Sequence, residues 1–382
     1  MNFNNSKVDY SKEKTNIKED KLELNFYNCV NQNKKNEIQD NPKDLQFLNI
    51  LSKDSYSYYD IDNSFCIFKS INDIYYLIYA NEYNSSISYN IIDNKKIIEI
   101  KNFDNNYGEN NNINTFNNMN NITNFRHFLD KNNKRDLIIS ISAWQNNIKI
   151  WDINNWECLI NLDNINKSGI LLSACLLNNN NYNYIITTNT NFLGVNEFIK
   201  IFDFNGKKIK EINYFNENIY HIETFYDNKS SKIYIVTAND GCVISYDYNN
   251  DKIYHKYSEN DKKRHYSLII NKEEKLIKII ESSLDSNIRI WNFDSGELLK
   301  KINIMNNKLY GLCLWNNEYL FVGCEDNSIK LIDIKNGIIV KELFGYNNKI
   351  ISIQKIILPK FGKSLISIGG KKSDIKLWVN KI

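Results

Sequence analysis

Four histidines are the first residues to test for chemistry: His127, His221, His255 and His265. At short spacing from a cysteine or another histidine, such residues could hold a metal ion. None stands at that spacing, and scattered histidines of this kind read as strand-end or surface residues. The cysteines are Cys29, Cys66, Cys158, Cys175, Cys242, Cys313 and Cys324. No two form a Cys-x-x-Cys pair, and most sit in apolar strand-like runs, so they read as buried reduced thiols. No Gly-x-Ser-x-Gly elbow, phosphate loop or dinucleotide fingerprint occurs. Adjacent acids such as Glu273 and Glu274 fall in apparent turns and read as solvated charge. The residues therefore predict no catalytic group, no cofactor and no metal. Groups gathered from several distant segments would escape a reading of spacing, and fold alone does not exclude activity.

Charge narrows the partners. The 382 residues carry 48 Lys+Arg against 45 Asp+Glu, a formal net charge of +3. So even a balance argues against nucleic acid or a membrane as the main partner. Two basic clusters stand out, Lys262-Lys263-Arg264-His265 and Lys207, Lys208 and Lys210. Neither is interleaved with aromatics, the pattern single-stranded nucleic acid needs. They are expected on opposite faces of the fold. Met1 to Asp20 is polar and lacks the apolar stretch of a signal peptide. No apolar run is long enough to span a bilayer as a helix. Cytosol or nucleus is the expected compartment, not secretion.

The elements that would position these residues are strands. Hydrophobic residues make up 42% of the chain and aromatics 13%, rich in the strand formers Ile, Tyr and Phe. Only 2 prolines occur, Pro42 and Pro359, so turns must rely on Asn, Asp and Gly. Asn, Ile and Lys are over-used throughout, a bias that base composition produces as readily as selection.

A repeat runs through almost the whole chain. The segment Asn147-Ile-Lys-Ile-Trp-Asp-Ile-Asn154 is close to Asn287-Ile-Arg-Ile-Trp-Asn-Phe-Asp294, Ser328-Ile-Lys-Leu-Ile-Asp-Ile-Lys335 and Asp374-Ile-Lys-Leu-Trp-Val379. Weaker copies surround Ile87, Ile199 and Val243. The first apolar residues, Ile87, Ile148, Ile199, Val243, Ile288, Ile329 and Ile375, follow at intervals of 61, 51, 44, 45, 41 and 46 residues. Two apolar runs precede each anchor and a polar turn follows it. Those turns are Asp93-Asn94, Asn154-Asn155, Asn205-Gly206, Asn249-Asn250, Ser295-Gly296 and Asn336-Gly337, pairs that supply the positive φ of tight hairpins.

Over residues 45 to 382 the chain resembles the WD40-repeat family, most specifically in its Ile-Lys-Ile-Trp-Asp copies. The resemblance implies an all-β, seven-bladed β-propeller of four-stranded antiparallel blades. It implies a turn Asp three residues before each anchor, filled here by Asp240, Asp285 and Asp326; Asn84, Gln145, Asn196 and Lys372 depart from the pattern. The family Trp falls at Trp151, Trp291 and Trp378, with Phe202, Tyr246, Ile332 and Asn90 elsewhere. The Gly-His pair is nearly absent. Gly345-Tyr346 stands in its place in the last repeat, and His265 follows Arg264 instead of Gly, so it is not counted as a match. The buried network of His, Ser or Thr, Asp and Trp is thus expected to be eroded, with some blades looser.

The resemblance also predicts ring closure: an N-terminal strand, Leu45 to Leu51 or Ser55 to Ile61, completes the last blade. Residues 1–43 are expected to form a polar, disordered tail, within which Leu22 to Val30 could dock. Residues 44–382 form the propeller, with a solvated Asn-rich loop at 104–124. Partners of this family dock on the top face, where the residue before the turn Asp points. Those positions are Tyr83, Trp144, Val195, Asn239, Leu284, Glu325 and Lys371. Trp144 is the sharpest candidate, either as an interface anchor or packed on a neighbouring loop; Tyr83 is in the adjoining blade. The expected function is a non-catalytic scaffold or adaptor for proteins or peptides, a monomeric propeller within a larger complex. The alternatives are a substrate-recognition subunit of a ubiquitin ligase, though its Trp-Asp-x-Arg box is not matched after Asp152, and a catalytic or small-ligand propeller.

Overall fold

The computed structural model describes residues 41–55, 65–81, 85–100, 122–130, 133–143, 146–163, 165, 170–179, 182–188, 197–215, 217–370 and 373–380. All lie within the contact unit Asp40–Ile382. Of the expected tail, residues 1–40 fall outside this description, and Pro42–Asp44 forms a 3-10 turn capped by Asn41.

The described strands form seven four-stranded antiparallel sheets, and no α-helix occurs among the described residues. After β1 (Leu45–Ser55), blade 1 comprises β2 (Phe65–Lys69), β3 (Tyr75–Ala80), β4 (Ser86–Asn90) and β5 (Lys95–Ile100). Blade 2 comprises β6 (Ile122–Asp130), β7 (Arg135–Ser142), β8 (Asn147–Asp152) and β9 (Glu157–Leu162). Blade 3 is β10 (Ala174–Asn179), β11 (Tyr182–Thr188), β12 (Glu197–Asp203) and β13 (Lys208–Phe215). Blade 4 is β14 (Ile219–Asp227), β15 (Lys232–Asn239), β16 (Val243–Asp247) and β17 (Lys252–Tyr257). Blade 5 is β18 (His265–Lys272), β19 (Ile277–Ser283), β20 (Asn287–Asn292) and β21 (Leu298–Asn303). Blade 6 is β22 (Leu309–Leu314), β23 (Tyr319–Cys324), β24 (Ile329–Asp333) and β25 (Ile338–Leu343). Blade 7 takes β26 (Ile350–Leu358), β27 (Gly362–Gly369) and β28 (Ser373–Asn380), and β1 completes it.

Every repeat anchor lies in the third strand of its blade. The first strands touch one another all the way round, from β2 through β26 and back to β2, so they line a central channel. Side chains alternate along each strand, so each blade packs on both neighbours. Seven buried apolar layers result, one between each pair of adjacent blades. Closure follows the first of the two expected routes. β1 pairs antiparallel with β28, Leu45 opposite Asn380 and Phe47 opposite Trp378. Leu45 enters the layer between blades 6 and 7, and Leu51 the layer between blades 7 and 1. The strand thereby covers the edge that β28 would otherwise leave open in the last sheet.

Two local expectations change. The Asn-rich segment was bounded at Asn124, but Ile122 and Asn124 already pair with Ser142 and Ile141 in β6; residues 104–121 lie outside the described residues. In blades 2 and 4 the left-handed turn residue is neither Asn of the pair. It falls one residue later, on Trp156 at φ 59° and Asp251 at φ 54°. For Trp156 a half-buried indole, edge-on to Tyr76 at 6.2 Å, offsets the cost of a positive φ on a bulky residue.

Candidate docking face on blades 4 and 5

The turn between the second and third strands is built alike in four described blades. The residue two before the anchor is left-handed in each: Asn146 at φ 50°, Gly241 at 70°, Ser286 at 73° and Asn327 at 66°. In blades 5 and 6 the preceding Asp holds the turn by accepting from the backbone beyond it. Asp285 accepts the Asn287 N–H at 3.1 Å, and Asp326 accepts the Ser328 N–H at 3.1 Å. Asp240 instead accepts from the Tyr220 hydroxyl at 3.1 Å and the Asn218 amide at 2.7 Å.

Beneath these turns lies the tryptophan network. Trp151 donates its indole N–H to Ser140 at 2.9 Å, Trp378 to Ser367 at 2.7 Å and Trp291 to Glu281 at 2.9 Å. Ser140, Glu281 and Ser367 hold one register: each stands opposite the residue after the anchor, Lys149, Arg289 and Lys376. The network is less eroded than the sequence implies. His265 is fully buried, its Nδ1 against the Glu281 carboxylate and its Nε2 3.2 Å from Asp261. It is the first residue of β18, and its burial against Glu281 holds although Arg264, not Gly, precedes it. In blade 7 Tyr346 substitutes, its hydroxyl 2.7 Å from Ser367 Oγ. Of the remaining histidines, His127 and His221 sit within strands, His127 stacked on Phe68 at 3.9 Å and His221 buried, while His255 is half-buried on the outer strand β17.

Blade 5 adds a charged layer above its tryptophan. Arg289, 1% exposed at its side chain, donates to Glu259 at 2.6 Å and Asp261 at 3.0 Å, and also pairs with Asp285. Burial disfavours the Asp285 carboxylate, but Arg289 and Asn287 more than offset it and hold its pKa at about 2. Burial likewise opposes charge on His265, yet Glu281 and Asp261 hold the imidazolium up to about 9.

On this base sits a rim that joins blades 4 and 5. The Lys263 carbonyl accepts the Gly241 N–H at 2.8 Å, and the Arg264 carbonyl accepts the Leu284 N–H at 3.0 Å. The Arg264 guanidinium lies 4.0 Å from the centre of the Tyr220 ring. Burial, opposed by Arg264 and aided by Asp240, pushes the Tyr220 phenol up to about 12. Tyr220 packs in turn on Ala143, Ile170 and Leu172. A cleft of about 470 Å³ runs beside this rim, lined by Glu217, Asp240, Lys256, Asp261 and Lys262.

The contact residues expected from sequence divide sharply. Trp144, Tyr83, Val195 and Lys371 lie outside the described residues. Asn239 is 0% exposed, its amide oxygen accepting from Thr237 at 2.7 Å, so its side chain offers nothing to a partner. Its strand position turns it inward. Leu284 is half-buried on the rim, and Glu325 is exposed and paired with Lys308 at 2.7 Å. Sequence reasoning noted Arg264 in a basic cluster but missed Tyr220 and the stacking between the two, which joins residues of different blades. It also missed Glu281, though counting 10 or 11 residues back from each Trp finds the acceptor.

Nearer the axis, Arg126 of blade 2 reaches past blade 3 to blade 4. It donates to Glu223 at 2.8 Å and approaches His221 at 3.2 Å. Burial raises the Glu223 pKa, but Arg126 and His221 overcome this and hold the group below the ordinary carboxylate range. Held as an anion, it ties two blades together. Among the described residues no cluster of three or more His, Cys, Asp or Glu is arranged to hold a metal ion. No described helix is long and apolar enough to cross a membrane.

No protein-family model matches the chain. Over 74 residues, 19% of its length, it is 26% identical to the U3 small nucleolar RNA-associated protein 21 homolog of Schizosaccharomyces pombe, and this stretch is 8% of that relative. Among solved structures, the crystal structure of BBS1N in complex with ARL6DN matches with a TM-score of 0.63 at 10% identity, over 88% of this chain and 97% of that one. At that identity the likeness concerns the fold. A strand written around Ile148-Lys-Ile-Trp151 and repeated through seven blades of one closed ring makes this chain a seven-bladed β-propeller whose third strands resemble those of WD40 repeats.

Proposed function

We propose that the chain is a non-catalytic interaction scaffold that docks protein partners on the top face of its ring, the end that carries the turns before the third strands. The observation that carries this reading is the rim of blades 4 and 5, where Arg264 is stacked on Tyr220 beside the exposed Lys262 and Lys263. Arginine and tyrosine are the residue types that dominate protein interfaces, and their fixed backbone lowers the entropy lost on binding. Residues 44–382 supply the ring in this reading, and residues 1–43 lie outside it. Five of the six described cysteines are buried and no disulfide joins any two of them, which supports a reducing compartment, cytosol or nucleus.

Affinity capture with the full chain tests the proposal. Proteins retained by the wild type and by Lys207→Glu, a variant in a turn at the opposite end of blade 3, should be lost with Arg264→Glu. Equal retention by all three would move docking away from this rim. The Arg126–Glu223–His221 group is the feature that favours a small-ligand propeller instead. A ligand whose binding survives Arg264→Glu but not Glu223→Gln would support that second reading.

A further inference from the structure

The connection from β17 to β18 carries Lys262, Lys263 and Arg264 in succession. Lys262 and Lys263 are exposed, and none of the three cations has an ion pair with a described carboxylate. The nearby acids are already engaged. Asp261 meets His265 at 3.2 Å and Arg289 at 3.0 Å, Glu217 meets Lys256 at 2.6 Å, and Asp240 accepts from Tyr220 and Asn218. Positive charge is therefore left over at this edge of the ring although the whole chain is nearly neutral.

The backbone under these cations is fixed. Gly241 and Leu284 donate to the carbonyls of Lys263 and Arg264, and Ser283 Oγ donates to the Arg264 carbonyl at 3.2 Å. Gly241 is held to glycine twice over: its φ is 70°, and an added Cβ would stand 2.3 Å from the Asp261 carbonyl oxygen. Three successive cations on a backbone held in place by these hydrogen bonds are complementary in charge to the carboxylates of a short acidic peptide. We infer that this rim, given the docking role proposed above, receives an acidic peptide segment of a partner protein, its Asp or Glu carboxylates meeting Lys262, Lys263 and Arg264.

Nucleic acid fits the same rim less well. One face of Tyr220 carries Arg264 and the ring also packs on Ala143, Ile170 and Leu172, so it is not free to stack a base. Asp240, which accepts only from the neutral Tyr220 and Asn218 among the described residues, lines the adjoining cleft and would repel a continuous phosphate backbone. A short acidic segment can end before it meets this carboxylate.

A fluorescein-labelled hexaglutamate peptide, followed by anisotropy on the full chain at low salt, tests the inference. Saturable binding is expected, weakened at least about tenfold in the Lys262→Glu, Lys263→Glu double variant and weakening steeply with salt. Lys207→Glu should bind like the wild type, and thermal melts should coincide, because the exchanged lysines are exposed. Arg264→Gln gives a second, uncharged removal and should also weaken binding. Equal binding by the wild type and the double variant would overturn the inference. So would displacement of the peptide by a hexathymidylate oligonucleotide at equal or lower concentration than unlabelled hexaglutamate. If rim variants lose captured proteins while hexaglutamate binds all variants alike, the docking face stands and the acidic class falls. Loss of neither would reject both.

Discussion

Trp291 donates its indole N–H to a carboxylate, Glu281, where its counterparts Trp151 and Trp378 donate to the serines Ser140 and Ser367. A buried anion in place of a hydroxyl demands a cation, and His265 supplies it. Blade 5 is thus locked by charge where blades 2 and 7 are locked by neutral hydrogen bonds.

This difference gives blade 5 a pH dependence on the alkaline side. The folded pKa of His265, about 9, stands above the ordinary histidine value of 6.5. Its contribution is therefore full below about 6.5 and is lost as pH rises through about 9, on the order of a few kcal/mol. Chemical denaturation between pH 6 and 10 should show stability falling across that window. His265→Gln should flatten the profile while lowering stability at neutral pH.

Asp285 predicts the opposite limb. Its folded pKa is about 2 against an ordinary 3.8, so its contribution is present above that ordinary value and is lost as pH falls through about 2. Arg289 is buried against Asp285, Asp261 and Glu259. Removing it in Arg289→Ala leaves these carboxylates unneutralised and should cost about 3–5 kcal/mol in urea unfolding. The loss should exceed that of Asp285→Asn, which leaves Arg289 its other partners.

The serine-locked blades should be more forgiving. Ser140→Ala removes one acceptor and should cost about 1 kcal/mol. Ser367→Ala should cost more, because Ser367 meets both Trp378 at 2.7 Å and Tyr346 at 2.7 Å. Thermal melts of the two variants compare them directly.

Ring closure should dominate overall stability. Leu45 is fully buried between blades 6 and 7, and the Lys341 ammonium donates to the Lys43 carbonyl at 2.8 Å. Leu45→Ala should cost about 2–5 kcal/mol. Deleting Leu45–Ser55 would expose the β28 edge, and aggregation by light scattering is the expected outcome. A deletion variant that melts like the full chain would show that the ring does not depend on β1.

The sequence by itself determined the number of blades and the third strands, because these rest on local alternation and a recurring spacing; it left two candidates for the closing strand, and the pairing of β1 with β28 decided between them. Trp151, Trp291 and Trp378 were legible for the same reason: they hold a fixed offset from Ile148, Ile288 and Ile375. Only the tertiary structure decided which side chains meet across blades. Arg264 finds Tyr220, Arg126 finds Glu223, and His265 finds Glu281 through packing and register. These pairs have no common spacing, so no motif announces them. Burial set Asn239 apart from the exposed rim, since both faces of β15 are covered by the neighbouring blades. The acids and bases that looked like scattered charge in the sequence became a locked core under blade 5 and a basic rim above it.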